Sequence, residues 1–180
     1  MRIIAGEWRG RTIAAPAGDT TRPTADRTRE TLFNMLASRL GEFDGLSVAD
    51  LFAGSGALGL EALSRGAGSC LFVEEDKRAV DTIRSNIAKL DAGSRCVVQQ
   101  ASVLRLGPAK APHDLVLLDP PYDTGAGAVA IEKLVRLGWI GPATWVSLEV
   151  NAKENVELRN MQVDAERKVG KAKLLLLRLA

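Results

Sequence analysis

Between two apolar runs, Leu46–Phe52 and Ala57–Ser64, the chain reads Asp50-Leu51-Phe52-Ala53-Gly54-Ser55-Gly56-Ala57-Leu58-Gly59, with glycines in a G-x-G-x-x-G spacing. Glycines at those positions let a strand turn tightly into a helix and let the backbone approach a ligand, while a helix start at about Ala57 presents unpaired N–H groups. The next apolar run, Ser69–Glu74, ends in an acid 20 positions after Gly54, the spacing at which a dinucleotide fold places the carboxylate that binds ribose hydroxyls. Loop and acid together predict a nucleoside-containing ligand at the carboxyl edge of a parallel sheet. The competing reading is a close helix–strand crossing followed by a solvated acid cluster, Glu74-Glu75-Asp76.

The rest of the chain keeps the alternation that such a sheet needs. Lys77–Leu90 carries Val80, Ile83, Ile87 and Leu90 on one helical face, Arg95–Gln99, Asp114–Leu118 and Thr144–Val150 read as strands, and a helix falls near Ala128–Leu137. Repeated βαβ units predict an α/β domain with a mostly parallel sheet and helices on both faces. Gln162–Arg167 and Lys173–Leu179, joined through Gly170, depart from that rhythm and read as an antiparallel hairpin. Ahead of the first strand, Leu32, Phe33, Leu36 and Leu40 mark a helix that starts at about Asp26, capped by Thr24 or Asp26 and closed by Gly41. Residues 1–24, where Ile3-Ile4 and Ile13 alternate with Gly6, Gly10, Pro16, Gly18 and Pro23, fit a small hairpin arm outside the domain of residues 25–180.

At 180 residues the chain can bury a core without disulfides or metals. Its 24 basic and 22 acidic side chains leave a net +2, too small to declare a nucleic-acid partner. The distribution says more: residues 1–40 hold seven arginines against four acids, a segment that fits either a phosphate-facing surface, with Arg9, Arg11, Arg22, Arg27 and Arg29 and the neighbouring Thr24 as candidates, or a solvated charged face. Cys70 and Cys96 have no Cys or His neighbours in sequence and read as buried small hydrophobes, so no metal site is expected. No apolar run approaches the roughly 18 residues of a membrane span, and a cytoplasmic protein is expected.

Chemistry concentrates at Asp119-Pro120-Pro121-Tyr122, directly after the apolar run Leu115-Val116-Leu117-Leu118. A buried parallel strand delivers such an acid to the carboxyl edge of the sheet. The prolines fix φ and donate no N–H, which leaves the carbonyls of Asp119 and Pro120 as acceptors, and Tyr122 offers a flat face. The set suits a flipped-out base whose exocyclic NH2 is held by acceptors while its ring stacks on the tyrosine. A proline-terminated turn is the plainer alternative. For the glycine loop two cofactors compete. NAD would set its pyrophosphate there, whereas S-adenosylmethionine carries a cationic sulfonium that favours a nearby acid, and Asp50 with Ala53 tips the choice to S-adenosylmethionine. The lone histidine, His113, reads as a structural loop residue rather than a proton relay for hydride transfer.

Taken together, Asp-Leu-Phe-Ala-Gly-Ser-Gly-Ala-Leu-Gly at 50–59, Val-Glu-Glu-Asp at 73–76 and Asp-Pro-Pro-Tyr at 119–122 resemble the class I S-adenosylmethionine-dependent methyltransferases that act on exocyclic amines. Arg2-Ile3-Ile4-Ala5-Gly6, Arg9-Gly10-Arg11, Arg22-Pro23-Thr24 and the stretch 26–34 resemble the bacterial 16S ribosomal RNA guanine-N2 methyltransferase family known as RsmD, which modifies guanine 966. The likeness runs over nearly the whole chain and departs at Ala101-Ser102, where the family often has Asn-Ala. It implies a Rossmann-like class I methyltransferase fold, a seven-stranded sheet closed by a C-terminal antiparallel hairpin, with a small N-terminal arm. It implies catalysis by Asp119, Pro120, Pro121 and Tyr122, and cofactor contacts from Asp50, Phe52, Ala53, Gly54, Ser55, Gly56, Gly59, Glu74, Glu75, Ala101, Ser102, Val103 and Asp119. The implied partner is 16S rRNA in the small subunit or its assembly intermediate, met by a monomer. A DNA or protein amine methyltransferase, or a non-catalytic RNA-binding assembly factor, are the other classes compatible with these residues.

Overall fold

A computed structural model describes residues 1–15 and 22–180, the side chains of residues 22–24 excepted. The elements run α1 (Arg22–Leu40), β1 (Ser47–Leu51), α2 (Ala57–Ser64), β2 (Ser69–Glu74), α3 (Lys77–Lys89), β3 (Cys96–Gln100), β4 (Leu115–Leu118), α4 (Ala126–Arg136), β5 (Trp145–Asn151), β6 (Met161–Val169) and β7 (Ala172–Leu179). They build one seven-stranded sheet in the order β3-β2-β1-β4-β5-β7-β6. Pairing is parallel from β3 to β5 and antiparallel for β5·β7 and β7·β6, which is the class I methyltransferase arrangement. Among the described residues no helix is long and apolar enough to cross a membrane.

The four residues of β4 are all buried because both faces of the central strands are covered, and period-2 alternation divides them between two cores. Leu115 and Leu117 join Val48, Phe72, Leu174 and Leu176 on the side of α1, α2 and α3. Val116 and Leu118 join Leu51, Val146, Leu148 and Leu177 on the side of α4, Trp139 and Ile140. Gly59 lets α2 lie close on the sheet, since a Cβ there would meet the Phe72 ring at 2.4 Å and the Cys70 sulfur at 2.6 Å. Cys70 and Cys96 are register partners on β2 and β3, and burial pushes both thiols up, Cys96 to about 11.

Several element ends differ from the sequence reading. The helix α1 begins at Arg22, because Pro23 in a first turn gives up no hydrogen bond, so Thr24 and Asp26 lie inside it rather than capping it. The expected boundary between residues 24 and 25 therefore falls within a continuous helix. β3 starts at Cys96, after a single 3-10 turn at Gly93–Arg95, and α4 starts at Ala126, where Gly125 adopts φ 70°.

The N-terminal segment is a hairpin, closed by an Arg2–Thr12 antiparallel bridge and by bonds such as Ile3 N–H to the Arg11 carbonyl at 2.9 Å. It is part of the core rather than an appendage: Ile3, Trp8 and Ile13 are buried in the cluster beneath α1 and α2. Glu61 of α2 holds it there. That carboxylate, 0% exposed, accepts from Ile4 N at 2.9 Å, Ala5 N at 3.1 Å, Arg29 Nε at 3.4 Å and Arg65 Nε at 2.9 Å. A buried charge is tolerable only when so fully paired. Ser64 accepts from Trp8 N at 3.0 Å and donates to the Ala5 carbonyl, while Asn86 both accepts from and donates to the backbone of Ala14. Truncating Glu61 leaves two buried arginine contacts and two amides without their acceptor. Glu61→Ala is expected to lower unfolding stability by about 3–5 kcal/mol in urea titration and to release the Ile4 and Ala5 amides to fast hydrogen exchange.

Candidate active site

Parallel strands carry their C-terminal ends to one edge, and the glycine loop forms there. Leu51 ends β1, and Phe52 (φ 57°) and Gly54 (φ 57°) both take left-handed backbone, an uncommon conformation for a bulky aromatic residue. The loop is pinned from two strands. Glu74 at the end of β2 accepts from Gly54 N and from Asp76 N, each at 2.8 Å, and Ala53 N donates to the Val73 carbonyl at 3.1 Å. From below, Asp50 Oδ2 accepts from Gly59 N at 2.9 Å. The other Asp50 oxygen is buried without a partner, and burial, opposed by the Gly59 N–H and reinforced by Glu74, pushes its carboxyl to about 8.

Two cavities open along this edge. One, of about 390 Å³, lies among Gly54, Glu74, Glu75, Ala101, Val103 and Pro121. The other, of about 300 Å³, is roofed by α1 and Met1 and lined by Ala53, Ser55, Leu58, Tyr122, Glu149 and Lys171. Phe52, Gly54 and Asp119 belong to both, so Asp119 stands on the shared wall. Pro120 is buried behind it under α4, where Gly127 has no room for a Cβ: one would approach Leu148 to 2.7 Å.

Tyr122 extends into the second cavity, 39% exposed, and its hydroxyl donates to Glu149 Oε2 of β5 at 2.7 Å. Enclosure first, then the nearby charges of Glu149 and Asp50 and a hydrogen bond to Glu149, raise the Asp119 carboxyl well above the ordinary range. Because Asp119 is itself exposed to the cleft, its neighbours are the firmer cause. Burial also raises Glu149, opposed by the hydrogen bonds from Tyr122 and Asp119. Both carboxyls are thus held above the ordinary carboxylate range.

Of the expected cofactor residues, Phe52, Ala53, Gly54, Ser55, Glu74, Glu75, Ala101, Val103 and Asp119 line one cavity or the other. Asp50, Gly56, Gly59 and Ser102 line neither. Asp50 and Gly59 support the loop from beneath, Gly56 lies against Phe72 and Ile83, and the Ser102 carbonyl closes the turn to Arg105. Among the expected RNA contacts, Arg9 and Arg27 are exposed, and Arg11 is exposed but donates to the Lys89 carbonyl at 2.9 Å. Arg29 does not face RNA. It is 3% exposed, and its guanidinium is taken by Glu61, Asp26 and the Arg2 carbonyl. The side chains of Arg22 and Thr24 lie outside the described residues. His113 is structural, stacked on Trp139 at 5.2 Å. Glu149 escaped the sequence reading, although an acid between Leu148 and Val150 in an otherwise apolar strand was a visible signal.

Comparison with known proteins agrees with this architecture. The family described as Conserved hypothetical protein 95 matches residues 1–178. Ribosomal RNA small subunit methyltransferase D of Escherichia coli K12 is 41% identical over 149 residues, covering 83% of this chain and 74% of that protein. The Haemophilus influenzae protein of the same name is 38% identical over 157 residues, covering 83% and 78%. The solved Escherichia coli protein yhhF, described as a candidate methyltransferase, superposes with TM-score 0.84 at 35% identity, covering 99% of this chain and 97% of that one.

The Asp50 carboxyl gives a test of the loop's electrostatics. With an ordinary value of 3.8 and a folded value of about 8, it takes up a proton on folding between those limits, so its contribution to stability falls as pH rises from about 4 to about 8. Asp50→Asn keeps an acceptor for Gly59 N and removes that slope, which urea melts across the pH range will register.

Proposed function

The chain belongs to the Conserved hypothetical protein 95 family, in which the ribosomal RNA small subunit methyltransferase D proteins are its relatives, and from that premise we propose that it methylates the exocyclic N2 of a guanine in 16S rRNA, of the guanine 966 type, with S-adenosylmethionine as donor. The observation that carries this reading is the position of Asp119 on the wall between two cavities, one bounded by Glu74 and the glycine loop and the other by Tyr122. The first cavity fits a nucleoside cofactor. Nothing lies within 4 Å of where a Gly54 Cβ would stand, and Glu74 keeps lone pairs beyond those used by Gly54 and Asp76. Bound S-adenosylmethionine supplies a methyl group on a positively charged sulfur.

The protein's own residues prepare the acceptor amine. The N2 lone pair of guanine is delocalised into the ring and is a poor nucleophile. Hydrogen bonds from the NH2 group to the Asp119 carboxylate and the Pro120 carbonyl draw the nitrogen towards tetrahedral geometry and turn its lone pair to the other cavity. Tyr122 stacks on the base, a contact ordinarily contributing about 1–3 kcal/mol, and its hydroxyl bond to Glu149 fixes the ring that does so. Once the nitrogen carries a fourth bond its N–H is strongly acidic, and Asp119, which already accepts from it, takes that proton. Because Asp119 must be ionised to accept, turnover is expected to rise with pH across its titration.

We take exposed Arg27, on the helix that roofs the second cavity, and exposed Arg9, in the turn of the N-terminal hairpin, to meet phosphates of the rRNA, and we take the enzyme to act as a monomer in the cytoplasm on the small subunit or its assembly intermediate. Asp119→Ala is expected to reduce methyl transfer by at least about 10²–10³-fold while cofactor binding, measured by calorimetry, persists. Near-normal turnover in that variant would refute the role. Arg9→Ala and Arg27→Ala are each expected to lower the slope of log affinity against log salt by about one, an effect read in filter binding at several salt concentrations.

A further inference from the structure

The tetrapeptide that grips an amine does not distinguish guanine from adenine, yet the cavity holding Tyr122 contains a second carboxyl that the transfer step does not require as an acceptor of N2. Resting on the guanine-N2 reading above, we infer that Glu149 is the residue that selects guanine, accepting the ring N1–H while Asp119 accepts from N2. The ends of β4 and β5 set Asp119 and Glu149 side by side in one cavity, and Lys171 brings a cation to its lining. Two neighbouring acceptors with a cation match two neighbouring donors and an acceptor, which on guanine are N2–H, N1–H and O6. Adenine offers its amino group next to an unprotonated N1, and cytosine its amino group next to an unprotonated N3, so in each an aromatic lone pair would face the Glu149 carboxylate.

Glu149 is also held to its task. Tyr122 donates to Oε2 at 2.7 Å, which leaves Oε1 to accept from a base edge and ties the selecting carboxylate to the ring on which that base stacks. β5 anchors the residue on a rigid element, with Glu149 in register with Leu174 between the buried Leu148 and Val150. The two donors of guanine compensate both carboxylates. An incoming base with only one donor leaves that second carboxyl uncompensated.

Replacing the target guanine by 2-aminopurine keeps the N2 amine, turns N1 from donor to acceptor and removes O6; the loss of O6 is common to wild type and Glu149→Gln, so the change in preference between them isolates the N1 contact. Small-subunit particles reconstituted with 16S rRNA carrying either base at the target position are to be methylated in single turnover by the wild-type enzyme and by Glu149→Gln, whose amide can accept or donate. Wild type is expected to prefer guanine by about ten- to hundredfold, and Glu149→Gln to bring the two rates within about threefold of each other. A preference kept at its wild-type value in the variant, or loss of both substrates alike, overturns the assignment. A wild-type enzyme that leaves the guanine particle unlabelled overturns the guanine-N2 reading itself.

Discussion

Acids gathered at the carboxyl edge of the sheet govern the rest of this structure. Four parallel strands bring Asp50, Glu74, Asp119 and Glu149 to one end of the molecule, and like charges at such range are tolerated only when each is neutralised. The chain solves this four times with different means. Glu74 is covered by the amides of Gly54 and Asp76, Asp50 by the Gly59 amide and a carboxyl raised to about 8, Glu149 by the Tyr122 hydroxyl, and Asp119 by a carboxyl held well above the ordinary range beside Glu149. The same bonds that quiet the charges also set the glycine loop and aim the tyrosine. A site built in this way favours ligands rich in donors or positive charge, which describes a ribose, a sulfonium and the donor edge of guanine.

A second carboxylate, Glu61, does the corresponding work on the other side of the active cleft. By collecting two backbone amides of the arm and two arginines it fixes the hairpin under α1, and with it Met1 and α1 as the roof of the cavity that holds Tyr122. This is why Arg29 serves structure rather than RNA. An arginine 3% exposed and held by two carboxylates and a carbonyl is committed to the fold before any phosphate arrives.

The fold was legible because its signals are local. Apolar runs of strand length, a helical stripe at Val80, Ile83 and Ile87, and Gly54, Gly56 and Gly59 each report on their own segment, and parallel order follows from their alternation. Element ends slipped where a single residue decides them, as Pro23 does for α1 and Gly125 for α4. The candidate site was legible where its residues are contiguous, as in the Asp119–Tyr122 stretch, or fall at a recognisable spacing, as Gly54 and Glu74 do. Glu149 and Glu61 were not, because their meaning depends on partners 27 and 57 positions away, Tyr122 and Ile4, which only folding brings within reach.

The central claim is that this edge methylates a guanine amine in ribosomal RNA. Small-subunit particles from cells lacking the corresponding methylation, incubated with the enzyme and S-adenosylmethionine labelled in its methyl group, test it most directly once the label is mapped by nuclease digestion and mass spectrometry. The account predicts one methyl group per particle, on N2 of a single guanine of 16S rRNA. Label on an adenine or cytosine amine, on ribosomal protein, or on nothing at all would contradict it.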